Sequence, residues 1–201
     1  MSVNLQKGQK ISLVKPGSAG LRRIMVGLGW DEAPQKRSFF APKPQPIDCD
    51  ASAILCGADG RLISSDIRDC CVYFGNLRHG SGAIVHQGDN LTGEGEGDDE
   101  QIMVDLPAVP AAVDKIVFVV NIYDANVRRQ HFGMIRNAFI RIVDMGTRSE
   151  ICRFNLTEDY SGMTGMIAGE LYRRNGEWKF NAIGQGVMDA SRLGSLLRMY
   201  Q

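Results

Sequence analysis

The sequence predicts a mainly β protein, an antiparallel β-sandwich with short peripheral helices that include one at the C-terminal end. Three observations carry this. Short runs rich in Val, Ile, Phe and Tyr recur along the 201 residues with turn-forming residues between them. Two of these runs flank Asn175-Gly176, a pair that readily adopts the two positive φ angles of a type I′ hairpin. Helical periodicity is scarce.

Taken in order, the runs predict about ten strands. They lie at residues 10–14, 23–28, 51–55, 71–74, 83–86, 101–106, 115–123, 138–143 and 150–155, followed by the hairpin of 169–174 and 177–183. Leu193, Leu196, Leu197 and Tyr200 follow an i, i+3, i+4, i+7 stripe, which predicts a short helix docked by one face, with Asp189 as its candidate cap. A second helical stretch is expected at 127–135. Residues 33–47 hold Pro34, Pro42, Pro44 and Pro46 with Lys36, Arg37 and Lys43, the composition of an extended surface loop. With no repeat of fixed spacing, residues 1–201 read as a single domain.

Lys plus Arg equals Asp plus Glu at 23 each, so no global field draws the chain to nucleic acid or to an anionic membrane. The first ten residues lack the apolar stretch of a secretory signal, and no later run has the apolar length of a membrane span; a cytoplasmic protein is expected. The five cysteines, Cys49, Cys56, Cys70, Cys71 and Cys152, never form a C-x-x-C pair, which disfavours a disulfide framework or a zinc knuckle. They read as buried small hydrophobes.

The charge is instead concentrated locally. Residues 88–100 read GDNLTGEGEGDDE and place Asp89, Glu94, Glu96, Asp98, Asp99 and Glu100 in thirteen positions without one basic residue. Two carboxylates about 4 Å apart repel by roughly 4 kcal/mol at an effective dielectric of 20, so such a loop either splays into water or gathers round a cation. Gly88, Gly93, Gly95 and Gly97 permit the tight turning that gathering requires. Hard oxygen donors in a flexible loop suit calcium before magnesium or manganese. An EF-hand is excluded: Leu91 stands at its third position and Glu94 at the sixth, where glycine is required. A second arm lies at IDCDASA, residues 47–53, where Asp48 and Asp50 alternate and share a side in an extended chain. Loops at one end of a sandwich converge, so the two arms can meet. Asp31 reads as a solvent-facing loop residue.

Other chemistry lacks its motifs. Gly27-Leu28-Gly29 is followed by Glu32 where a dinucleotide fingerprint needs glycine, and no Gly-Lys-Ser/Thr phosphate cradle occurs, so neither nucleotide nor nucleic acid is an expected ligand. His79, His86 and His131 are scattered, with His86 read as structural.

Over nearly its whole length the sequence resembles the TerD family of bacterial tellurium-resistance and stress proteins. The likeness runs through VGLGWDE at Val26, IDCDASAIL, HQGDNLTGEGEGDDE, NAFIRIVD at Asn137 and GELYRRNGEWKFNAIGQG at Gly169. It implies a β-sandwich that binds calcium through Asp48, Asp50, Asp89, Asn90, Asp98, Asp99 and Glu100. Cys49 departs from the usual apolar residue between the paired aspartates. Calcium, as two ions, is the expected cofactor. The expected role is a non-enzymatic, calcium-dependent binding module in tellurite resistance, with protein partners in a stress-response assembly near the inner membrane. Two alternatives stand beside it: a cysteine-dependent enzyme that processes metalloids, and a calcium-dependent membrane-binding domain.

Overall fold

Two six-stranded sheets face each other. The structure, a computed structural model, describes residues 2–14, 20–33, 45–88 and 97–201. The first sheet contains β1 (Val3–Leu5), β3 (Arg23–Glu32), β6 (Ile84–His86), β7 (Glu100–Asp105), β9 (Ile135–Asp144) and β10 (Ser149–Asn155), in the order β1-β10-β9-β3-β7-β6. The second contains β2 (Lys10–Ser12), β4 (Cys49–Cys56), β5 (Cys71–Val72), β8 (Lys115–Ile122), β11 (Gly165–Arg174) and β12 (Glu177–Val187), in the order β2-β12-β11-β8-β4-β5. Every pairing is antiparallel except that of β1, which runs parallel to β10.

Alternation explains the layering. Ile24, Val26, Leu28 and Trp30 of β3 turn inward with Ile140 and Ile142 of β9, and they meet Ala51, Ala53, Leu55, Ile116, Phe118 and Phe180 from the opposing sheet. The out-pointing residues of the second sheet, Ile54, Val117, Val119 and Ile167, are covered in turn by Leu196, Leu197 and Ala190. The cover is α3 (Leu193–Leu197), the predicted C-terminal helix and its docking face.

The β11–β12 hairpin turns at Asn175 (φ 55°) and Gly176 (φ 77°), as predicted. Three expectations change. Asp189 does not cap α3: it has φ 52°, and Arg192 occupies the N-cap without a side-chain cap bond. The stretch 127–135 is not one helix. A four-residue α2 (Ala125–Arg128) stops at left-handed Arg129, a 3-10 turn spans Phe132–Met134, and Ile135 already begins β9, because Phe132 is drawn into the core. The third change is the added strand β1. A further short helix, α1 (Ile67–Cys70), is capped by Asp66, whose carboxylate accepts the Arg68 N–H. The surface-loop reading of 33–47 falls largely on residues 34–44, outside the described residues. Among the described residues, no helix is long and apolar enough to cross a membrane.

Candidate metal centre

Both acidic segments arrive at the same end of the sandwich. β7 opens at Glu100, opposite Leu28 of β3, and Glu100 is 1% exposed despite its charge. A carboxylate at such a depth needs partners. Its Oε2 accepts the Ala51 N–H at 3.3 Å, a bond from the first sheet to β4 of the second, and lies 2.7 Å from His86 Nε2. Ala51 is available because β5 covers β4 only at Ala53 and Ile54. His86 Nδ1 accepts the Gly88 N–H at 3.1 Å, while Nε2 faces the Glu100 carboxylate. His86 is therefore structural in a specific way, since it orients Glu100 and holds the first residue of the acidic loop.

On β4, Cys49 turns into the intersheet core, leaving Asp48 and Asp50 on the other side of the strand. Asp50 is 6% exposed and accepts from Asn121 Nδ2 of β8 at 3.1 Å. Asp48 faces Arg128 Nη1 at 3.5 Å, and its carbonyl accepts the Tyr123 N–H at 2.8 Å. Asp99 Oδ2 accepts the Trp30 N–H at 2.6 Å. Burial raises the Asp99 carboxyl above its ordinary range, and the charges of Asp31 and Asp98 push the same way against the Trp30 N–H. Asp31 itself lies on β3 and accepts from Asn137.

The Cys49 thiol is pushed well up, first by burial and then by the charges of Asp50, Asp48, Glu100 and Asp99. Asp98 takes a different direction. Its side chain has no exposed surface, and both oxygens are held by Arg141 of β9, from Nε at 2.7 Å and Nη2 at 2.9 Å.

Of the seven ligands expected from sequence, the structure brings Asp48, Asp50, Asp99 and Glu100 to one end and turns Asp98 to the outer face of the first sheet. Asp89 and Asn90 lie outside the described residues. Among the described residues, no group of three or more His, Cys, Asp or Glu side chains is close enough to hold an ion. The donor chemistry nevertheless fits a hard cation: carboxylates dominate, and the Asn121 Oδ1, beside Asp50, and the Ser52 Oγ are buried without hydrogen-bond partners among the described residues.

No local sequence pattern marks Asn121, Arg128 or Arg141: Asn121 and Arg141 each interrupt an apolar strand, and Arg128 is one of an adjacent pair with Arg129. The alternating Gly27 and Gly29 were a usable signal for Arg141, because glycines on one side of a strand mark a surface where something else packs. The five cysteines are buried as expected.

Fold and site together define a two-layer antiparallel sandwich with an acidic end. Within that class the chain belongs to the TerD family: the TerD domain description matches residues 1–200. It is 48% identical over 204 residues to Stress response protein SCP2 of Bacillus subtilis (strain 168), covering 100% of both chains. It is 46% identical to Tellurium resistance protein TerD of Serratia marcescens, covering 100% of this chain and 97% of that one. The crystal structure of a telluride-resistance TerD homologue from Streptomyces coelicolor A3(2) shares the fold, with a TM-score of 0.59 and 23% identity over 85% of this chain and 92% of that one.

Proposed function

We propose that this tellurium-resistance and stress-response family member is a cytoplasmic, non-enzymatic binding module that works with calcium. The observation that carries it is that Asp50 and Glu100, one from each sheet, are almost fully buried at the same end of the sandwich, where Glu100 accepts the N–H of Ala51, the residue next to Asp50. Asp48, Asp50, Asp99 and Glu100, joined by Asp89 and Asn90, are the residues that would hold the metal. Bound calcium would supply the positive charge that lets such carboxylates lie together. The chain's own part is to fix them: the Ala51 N–H and His86 hold Glu100, Trp30 N–H holds Asp99, and Asn121 holds Asp50. The ordered end would then meet a protein partner of a stress-response assembly.

A thiol enzyme is the weaker reading. All five thiols are buried, and burial pushes Cys56 and Cys152 up to about 12, which leaves little thiolate to attack a metalloid at neutral pH. Calorimetric titration of the metal-stripped protein tests the proposal. Uptake of two calcium ions is expected, and Asp50→Asn with Glu100→Gln should remove binding; a wild-type protein that takes up none would overturn it.

A further inference from the structure

We infer that Asp98 anchors the acidic loop instead of ligating an ion, and that Arg141 is the residue it is anchored to. The calcium reading supplies what the anchor serves, while the anchor itself stands on geometry. Gly27 and Gly29 turn their missing side chains to the outer face of β3, away from the core residues Val26, Leu28 and Trp30. A Cβ on Gly27 would fall on the Asp98 carboxylate, and one on Gly29 would meet the Phe139 ring and the Gly97 carbonyl. The outgoing end of the loop is therefore laid flat across a glycine floor.

Arg141 lies directly beside Gly27 in the sheet and closes over that floor. Its fork takes both Asp98 oxygens, Gln101 Nε2 adds a contact at 3.3 Å, and Glu150 Oε2 takes Arg141 Nη1 at 3.2 Å. Two-point pairing of this kind fixes orientation as well as position. A carboxylate with both oxygens committed to a fork would have to abandon Arg141 to reach an ion on the other side of the chain. Ahead of Asp98 the chain pivots at Gly97 (φ 121°), and past it the Asp99 N–H bonds the Leu28 carbonyl at 2.8 Å. With Asp98 pinned outside, Asp99 is delivered to Trp30 and Glu100 to Ala51. Asp98 and Arg141 are thus positioning residues for the two carboxylates that follow.

The test uses Asp98→Asn, Arg141→Met and Asp50→Asn in the full chain, with calcium as the probe. Calorimetry is expected to find the wild-type number of ions in the first two, with affinity weakened by a similar factor of about 10 or more, as for loss of an outer-shell support. Asp50→Asn should lower the ion count. The inference is overturned if Asp98→Asn loses an ion while Arg141→Met binds like wild type. Thermal unfolding of the metal-free proteins reads the anchor separately: each variant should melt below wild type, and the double variant should fall no further than the worse single one. If the wild type binds no calcium, the calcium proposal fails but this melting pattern still decides the anchor; additive losses, or none, would sink it.

Discussion

Gly27→Ala isolates the glycine floor. Gly27 sits in the regular strand β3, where alanine is allowed and is intrinsically better than glycine by about 0.5–1 kcal/mol. Any loss must come from the overlap of the new methyl group with the Asp98 carboxylate. Relief requires the carboxylate to leave Arg141, which breaks two charge-assisted hydrogen bonds worth about 1.5–3 kcal/mol each. Arg141 is 26% exposed along its side chain and regains water, so roughly half of that sum is lost; after the alanine gain, a net destabilisation of about 1.5 kcal/mol remains. For a chain of this size that corresponds to a drop of about 3–6 °C in unfolding temperature. Far-UV circular dichroism in a chelating buffer, with urea melts beside it, would measure both. The decisive comparison is the same change in an Asp98→Ala background, where it should be neutral or slightly stabilising. Equal cost in the two backgrounds, or no cost in the wild type, refutes the steric argument.

Four other outcomes follow from the fold. Phe118→Ala, which empties a fully buried ring position between the sheets, should cost about 3–5 kcal/mol in urea unfolding. Gly176→Ala places a side chain at φ 77° in the β11–β12 turn and should cost about 1 kcal/mol by the same measurement. The native thiols should resist a chromogenic disulfide reagent at pH 8 and all react in denaturant; one fast thiol would contradict the burial. Their pKa values also set an alkaline limit. Unfolded thiols ionise near 8.5, whereas Cys56 and Cys152 hold their protons to about 12, so the folded state binds more protons in between and stability falls as pH rises through that window. Urea melts at pH 8 and pH 10 should show the loss.

Much of the sandwich was legible because its strands alternate cleanly, and the Asn175-Gly176 turn because few dipeptides tolerate two positive φ angles. What stayed hidden has specific causes. Strand β3 continues through Gly29 to Glu32 and β11 begins at Gly165, both across glycine-bearing stretches poor in the β-branched residues by which strands are recognised. Strand β1 is three residues long and makes a parallel pairing with a strand nearly 150 positions away, which no local pattern encodes. At the site, composition located the acidic segments and their meeting place. It could not tell which way Asp98, Asp99 and Glu100 each turn, because that depends on the pivot at Gly97 and on Arg141, 43 residues beyond Asp98. The Glu100–Ala51 bond was equally invisible, since it exists only because β5 leaves part of the β4 edge uncovered.

That bond has a mechanical consequence. Through most of their area the two layers touch by interdigitated apolar side chains, contacts that have no fixed direction. At the acidic end, Glu100 belongs to one layer, whereas Asp48 and Asp50 belong to the other. The Glu100–Ala51 bond, buried and directional, acts as a rivet through both plates at the end where the charge is concentrated.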